Sequence, residues 1–249
     1  MSRDQLKNTY KQRIAQFREA VSRQSRIINY LSLARFLALV ATIWFLALGI
    51  KHSGIPFYVI SFLMLVAFLA LVNLHNKHNI KRELLRKLQA LNKTELDCLD
   101  HKFLDLPDGS QHADHSHPWS HDLDLFGKGS LFQYLNRTST LRGNSILAEM
   151  LSTEPGGPET IQSRQGIVQD LKERLDFRQN FTARGQMIKE KEDDLRDIHT
   201  WLSAPAYIRK HRWLFYLALV VSVLSISIIV AGFFDSSRFW YLLYLLLVN

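Results

Sequence analysis

The sequence has almost no cysteine, no phosphate-binding loop and no strand pattern, and each absence removes a class of function. Cys98 is its single cysteine, so no internal disulfide can form and the chain suits a reducing compartment. The N-x-[ST] matches at Asn92, Asn136 and Asn180 therefore carry no glycosylation meaning. A G-x-x-x-x-G-K-[ST] run is missing as well; there the glycines let backbone amides wrap phosphates while lysine and hydroxyl serve phosphate and magnesium. The nearest stretch is Gly127-Lys128-Gly129-Ser130, but the position five before Gly127 is Asp122, Gly129 displaces the serine, and no strand precedes it. Without a strand-rich region a parallel nucleotide-binding sheet is not expected, and no nucleophile–base or acid–base pair stands out. The chain is expected to hold no catalytic residue and no cofactor.

What the sequence has in quantity is apolar runs, within 47% hydrophobic and 22% charged residues overall. Leu31–Ile50 carries only Arg35, and Ile55–Leu74 carries no charge. Both reach the roughly 20 residues needed to cross a hydrocarbon core. Only Lys51–Gly54 separates them, which predicts a transmembrane helical hairpin with a tight turn. Trp213–Phe234 is a third such run, and Phe239–Asn249 is apolar but too short to cross. That shortness reads as a chain cut within a second hairpin. A cleaved signal peptide does not fit, because about 30 polar residues precede the first run and a second span follows directly.

Basic residues are retained on the cytoplasmic side of a membrane. The N-terminal arm carries Arg3, Lys7, Lys11, Arg13, Arg18, Arg23 and Arg26 against Asp4 and Glu19; Lys81, Arg82, Arg86 and Lys87 follow the second span, and Arg209, Lys210 and Arg212 precede the third. The short turns hold little beyond Lys51 and Arg238. The N-terminus and residues 75–212 are therefore expected in the cytoplasm. Much of the net charge of +8 sits where anionic lipid headgroups are a nearer partner than nucleic acid. Leu6, Tyr10, Ile14, Phe17, Val21 and Ile28 share one face of the arm, which can lie on the membrane or pack against a helix of the same chain.

The expected fold class is all-α: a membrane protein whose helical hairpins flank a cytoplasmic helical domain. Residues 1–30 form the basic amphipathic arm, 31–74 the first hairpin, 75–116 a helical extension and His-rich connector, 117–205 the helical domain, and 213–249 the incomplete second hairpin. Leu84, Leu85, Leu88, Leu91, Leu96 and Leu99 carry the second span on as a helix, and Pro107-Asp108-Gly109 marks a turn. After Gly129 a short helix offers Leu131, Phe132 and Leu135. Thr140 caps another running to Leu151, and Pro155-Gly156-Gly157-Pro158 breaks the chain before a helix through Ile161, Val168, Leu171 and Leu175. Leu147, Leu151, Val168 and Leu171 are the expected core.

The stretch "SLFQYLNRTSTLRGNSILAEML" (130–151), followed by "ETIQSRQGIVQDLKERLDFRQNFTARG" (159–185), resembles the core, or lever-base, domain of MutS-type DNA mismatch-repair proteins. The resemblance rests on Ser130, Leu131, Phe132, Asn136, Arg137, Thr138, Thr140, Gly143, Leu147, Leu151, Ile161, Arg164, Val168 and Leu171 in that order. With the lead-in "HPWSHDLDLFGKGSLFQYLNRT" (117–138) and its Asp122 and Asp124, the chain looks more like the membrane-associated MutS-related proteins of certain bacteria. That implies the bacterial inner membrane, and a homodimer for a full-length relative. ATP and magnesium are implied only for a C-terminal ATPase missing here. DNA is implied as a partner through that missing portion or by non-specific contact. The family's mismatch-reading domain and clamp levers have no counterpart. Asn136, Arg137, Thr138 and Thr140 read best as a structural junction, with Arg137 able to pair with a carboxylate such as Asp122 or Asp124; the other reading is that they transmit nucleotide state.

His101, His112, His115, His117 and His121, interleaved with Asp108, Asp114, Asp122 and Asp124, are ligand types that suit zinc or nickel. Neither paired cysteines nor an H-E-x-x-H helix accompanies them, so a polar, solvated connector is the expectation and no metal site is assigned. Three functions follow: a membrane-anchored, non-catalytic portion of an ATP-dependent DNA-binding assembly; a membrane-tethered scaffold that binds no DNA; and a cation transporter. Transport needs ionisable groups deep in the spans, which lack them.

Overall fold

The computed structural model describes residues 2–114, 116–154, 156–188, 190, 194–203, 213, 216–217 and 219–222. Among them every regular element is helical and no strand occurs. Beyond a few helical positions between 213 and 222, the third and fourth apolar runs lie outside the described residues.

Two helices dominate: α1, Arg3–His52, and α2, Ile55–Leu99, of 50 and 45 residues. A capping box starts α1, with the Ser2 amide donating to Gln5 Oε1 at 2.8 Å and the Gln5 amide to Ser2 Oγ at 3.3 Å. Ser53, at φ 50°, and Gly54 turn the chain, and Pro56 follows in the first turn of α2, where a missing amide hydrogen costs nothing. Both helices are long and apolar enough to cross a membrane. Only 11% and 6% of their apolar windows are buried, so those windows are not packed as the core helix of a globular domain would be. Phe36, Leu37, Trp44, Phe62, Leu63 and Leu69 all face outwards. The arm and the first span are thus one continuous helix, not two elements.

By contact the chain divides into two compact units, Met1–Thr42 with Phe62–Glu192 and Ile43–Ser61 with Asp193–Asn249. The second contains the hairpin turn, where the His52 and Phe57 rings lie 6.1 Å apart, and α7, Asp194–Ser203. Ile198, Trp201 and Leu202 form the exposed apolar side of α7.

In the first unit α3 is Leu131–Leu135, α4 Leu141–Ser152, α5 Pro158–Glu173 and α6 Leu175–Gly185. The core lies where α6 meets the first two helices: Leu88, Leu91 and Ala183 are buried, with Phe17 and Leu84 packed against them. Withdrawing a leucine of this kind from water contributes roughly 1.5–3 kcal/mol. The amphipathic face of the arm is spent here, since Leu6, Tyr10, Ile14, Phe17, Val21 and Ile28 are all withdrawn from full exposure within the chain. Of the two fates open to that face, packing within the protein is the one observed.

A second cluster surrounds Phe132, which is fully buried against Phe126 and His112 at ring separations of 5.6 and 5.7 Å. Gly109, at φ 72°, sits directly over that ring; a Cβ there would come within 2.5 Å of Phe132 Cδ1, so only glycine fits. Gln133 Nε2 donates to the carbonyls of Leu104 and Leu106 at 3.0 and 2.6 Å, fastening the preceding loop to α3.

The expected core of the helical domain needs correction. Leu147, Leu151 and Leu171 are only half-buried, and Val168 is 66% exposed. No residue of α5 is buried. Its apolar period is real, but among the described residues no element covers that side. Among Leu131, Phe132 and Leu135 only Phe132 is inside.

Candidate functional site

Asn136, Arg137, Thr138 and Thr140 lie at a junction between the end of α2 and the turn that links α3 to α4. Asn136 caps that turn from within: its Oδ1 accepts from the Thr138 amide at 3.1 Å and from Thr138 Oγ1 at 2.7 Å. Thr140 is the N-cap of α4, its Oγ1 accepting from the Gly143 amide at 3.0 Å. A Cβ at Gly143 would stand 2.9 Å from that oxygen, which accounts for glycine there by space alone.

Arg137 spans the junction. Its Nε donates to Glu95 Oε1 at 2.7 Å, Nη1 to the carbonyls of Tyr134 and Asn136, each at 2.9 Å, and Nη2 to Cys98 Sγ at 2.9 Å. The carboxylate expected from Asp122 or Asp124 is therefore supplied by Glu95, 42 positions upstream. Asp122 and Asp124 are exposed; the Asp124 carbonyl accepts from the Leu131 amide at 3.3 Å at the start of α3. Arg164 stands apart on the exposed side of α5, in a shallow groove with Ile161 and Val168.

Electrostatics fit a fastening. Burial works against the Arg137 charge, but Glu95, through its hydrogen bond and its charge, outweighs it and leaves the pKa above the ordinary guanidinium value. Burial pushes the Cys98 thiol up, while the Arg137 guanidinium pulls it part of the way back. Cys98 is thus held as a thiol.

The far ends of the first two helices are pinned similarly. Lys7 pairs with Asp100 at 2.5 Å, which holds the Asp100 carboxyl below its usual range, and Arg3 donates to the Leu99 carbonyl. Arg13 bridges to Asp176 at 2.5 Å and donates to Gln179 Oε1 at 2.9 Å. Arg3, Lys7 and Arg13 of the arm therefore reach partners on other parts of the chain, and Arg23 pairs with Glu19 one turn away. Beside the junction opens a cleft of about 720 Å³, with Leu91, Leu99, Leu171, Leu175, Phe177 and Phe181 among its apolar walls.

The connector between α2 and α3 is folded. Ser110–His112 is a single 3-10 turn, His112 Nε2 lies 2.7 Å from Asn144 Oδ1, and His117 packs edge-on against Trp119 at 4.7 Å. Among the described residues no three His, Cys, Asp or Glu side chains come together as a metal would require, and His115 lies outside them. Gly127 and Gly129 have φ of 100° and 82° and form the turn before Ser130, which caps α3 by accepting from the Gln133 amide at 3.1 Å. Lys128 is exposed. Sequence reasoning missed Glu95 and Gln179; polar residues inside the leucine stripe of α2, Asn92 and Glu95, were the available signal.

No family model, curated protein or solved structure matches the chain.

Proposed function

We propose that the chain is the membrane-anchored, non-catalytic portion of a MutS-related, ATP-dependent assembly at the cytoplasmic face of a bacterial inner membrane. The carrying observation is the Arg137–Glu95 bridge, because it makes the Asn136-Arg137-Thr138 turn the fastening between a helical module and the helix that continues an apolar span. In this reading the hairpin holds the module at a set place and the module passes the nucleotide state of an ATPase elsewhere in the assembly to the membrane helices. ATP and magnesium belong to that ATPase, and DNA contact belongs to the assembly. The orientation rests on the basic flanks described above, and homodimers on the family resemblance.

A second reading, a tethered scaffold that binds no DNA, is favoured by one fact. Arg3, Lys7, Arg13 and Arg137 are all engaged inside the protein and are not displayed for phosphate.

Site-specific photo-crosslinking from Val168, on the exposed side of α5, separates the two in cells. The MutS-related reading expects cross-links to a polypeptide region bearing a G-x-x-x-x-G-K-[ST] loop. Cross-links only to proteins without such a loop overturn it and leave the scaffold.

A further inference from the structure

The cleft beside Arg137 has a size and a polarity that select a ligand. At about 720 Å³ it falls within the range of sites for small organic molecules, which are mostly apolar with a few placed polar groups. Its walls are aliphatic and aromatic, including the stacked Phe177 and Phe181 rings 6.2 Å apart on α6. Its polar lining includes Tyr10, Glu95, Arg137 and Arg178.

Those charges do not cancel. Arg137 is matched by Glu95 and Arg13 by Asp176, each in direct contact. Arg178 lines the cleft, its side chain makes only a long hydrogen bond, 3.4 Å, to the Lys172 carbonyl, and among the described residues no carboxylate lies within ion-pair distance of it. One cation without a carboxylate partner in the lining of a mostly apolar cleft complements a ligand with one anionic end.

We infer that this cleft binds a small amphiphilic anion, an aliphatic or aromatic carboxylate, with its apolar body against Leu171, Phe177 and Phe181 and its head on Arg178. The inference stands apart from the MutS-related reading, since it uses none of that resemblance. A bilayer phospholipid is a poor source for the anion. From Leu74, where the apolar run ends, to Cys98 in the cleft wall, α2 advances about 36 Å at 1.5 Å per residue. The ligand is drawn from solution.

The test is equilibrium dialysis of labelled octanoate against the full chain in phosphatidylcholine nanodiscs, one copy per disc, with empty discs subtracted and 1-octanol as the neutral probe. Saturable octanoate binding near one per chain is expected, with octanol weaker by about ten-fold, the worth of one charge-assisted contact. Arg178→Gln should remove that preference, and Lys172→Gln, a cation outside the cleft, should keep it. Leu171→Trp, which fills the cleft, should abolish saturable binding of both probes. Absence of saturable binding, or equal octanoate affinity in wild type and Arg178→Gln, overturns the inference. Competition on replacing phosphatidylcholine with phosphatidylglycerol overturns the soluble source, and unchanged binding supports it.

Discussion

The side-chain amides of Asn92 and Gln179 donate to each other, at 2.9 and 3.0 Å, across 87 positions of sequence. Asn92 is fully buried, and its Nδ2 also donates to the Leu88 carbonyl at 2.7 Å, while Gln179 Oε1 accepts from Arg13 as well. This polar node sits beside Leu88, Leu91 and Ala183 and fixes the register of α6 on the first two helices. A purely apolar contact would let α6 slide, whereas a reciprocal amide pair has one register.

Removing Asn92 leaves the Gln179 Nε2 donor without its acceptor, while Gln179 Oε1 still accepts from Arg13; a buried donor left unmade costs about 1–3 kcal/mol. Asn92→Ala is expected to destabilise the packing of α6 by that amount. Because both amides are lost together in the Asn92→Leu/Gln179→Leu double variant, it should be less destabilised than the sum of the singles. Hydrogen exchange of α6 amides in nanodiscs reads both values, and additivity would show the pair to be uncoupled.

The buried Phe132 and the exposed Val168 predict a sharp contrast. Phe132→Ala empties a fully enclosed site and should cost about 3–5 kcal/mol. Val168→Ala, at a side chain 66% exposed, should stay within about 0.5 kcal/mol. Limited proteolysis across a denaturant series measures both, and a large loss at Val168 would mean that another surface covers α5.

Much of this architecture is legible in the sequence, and the rest is hidden for identifiable reasons. The hairpin follows from two apolar runs, with Arg35 their single charge, around Lys51–Gly54. Thr140 announces α4 because a cap is a local rule, and Gly109 announces its turn for the same reason. Arg137 shows where local rules stop. Its charge demands a carboxylate, but the nearby Asp122 and Asp124 are in solvent and the partner is Glu95 on α2. Periodicity in α5 likewise reports an apolar side without reporting whether anything meets it, so Val168 reads as core and is exposed. The leucine stripe of α2 does identify a buried side, but not the α6 alanine that packs on it.

Cys98 supplies a pH prediction. Its thiol pKa is raised by burial, so the folded state favours the protonated form. The stability this group contributes is full below the ordinary thiol range and is lost as pH rises through the higher folded value. Alkylation by N-ethylmaleimide should therefore lag behind a free thiol at mildly alkaline pH and catch up only at higher pH. Arg137→Gln removes a cation that pulls the pKa down, and its alkylation profile should move to still higher pH. A profile that moves down would show that Arg137 acts on Cys98 through packing and not through charge.

Binding to nucleic acid is the prediction that bears most directly on function. The chain has a net charge of +8, but Arg3, Lys7, Arg13 and Arg137 are engaged with internal partners, which leaves fewer cations for phosphate than the composition implies. Each phosphate contact adds roughly 0.9 to the slope of log affinity against log salt. The full chain in zwitterionic nanodiscs should therefore bind a DNA duplex weakly at low salt and lose it by about 0.2 M, with no preference for a mismatch, since phosphate contacts carry no sequence information. ATP turnover measured beside it should be absent and unaltered by Lys128→Ala, because Lys128 is an exposed residue of a glycine turn before a five-residue helix. Mismatch preference that survives at about 0.2 M salt, or turnover that disappears with Lys128, would move this chain from the anchoring part of such an assembly to its working part.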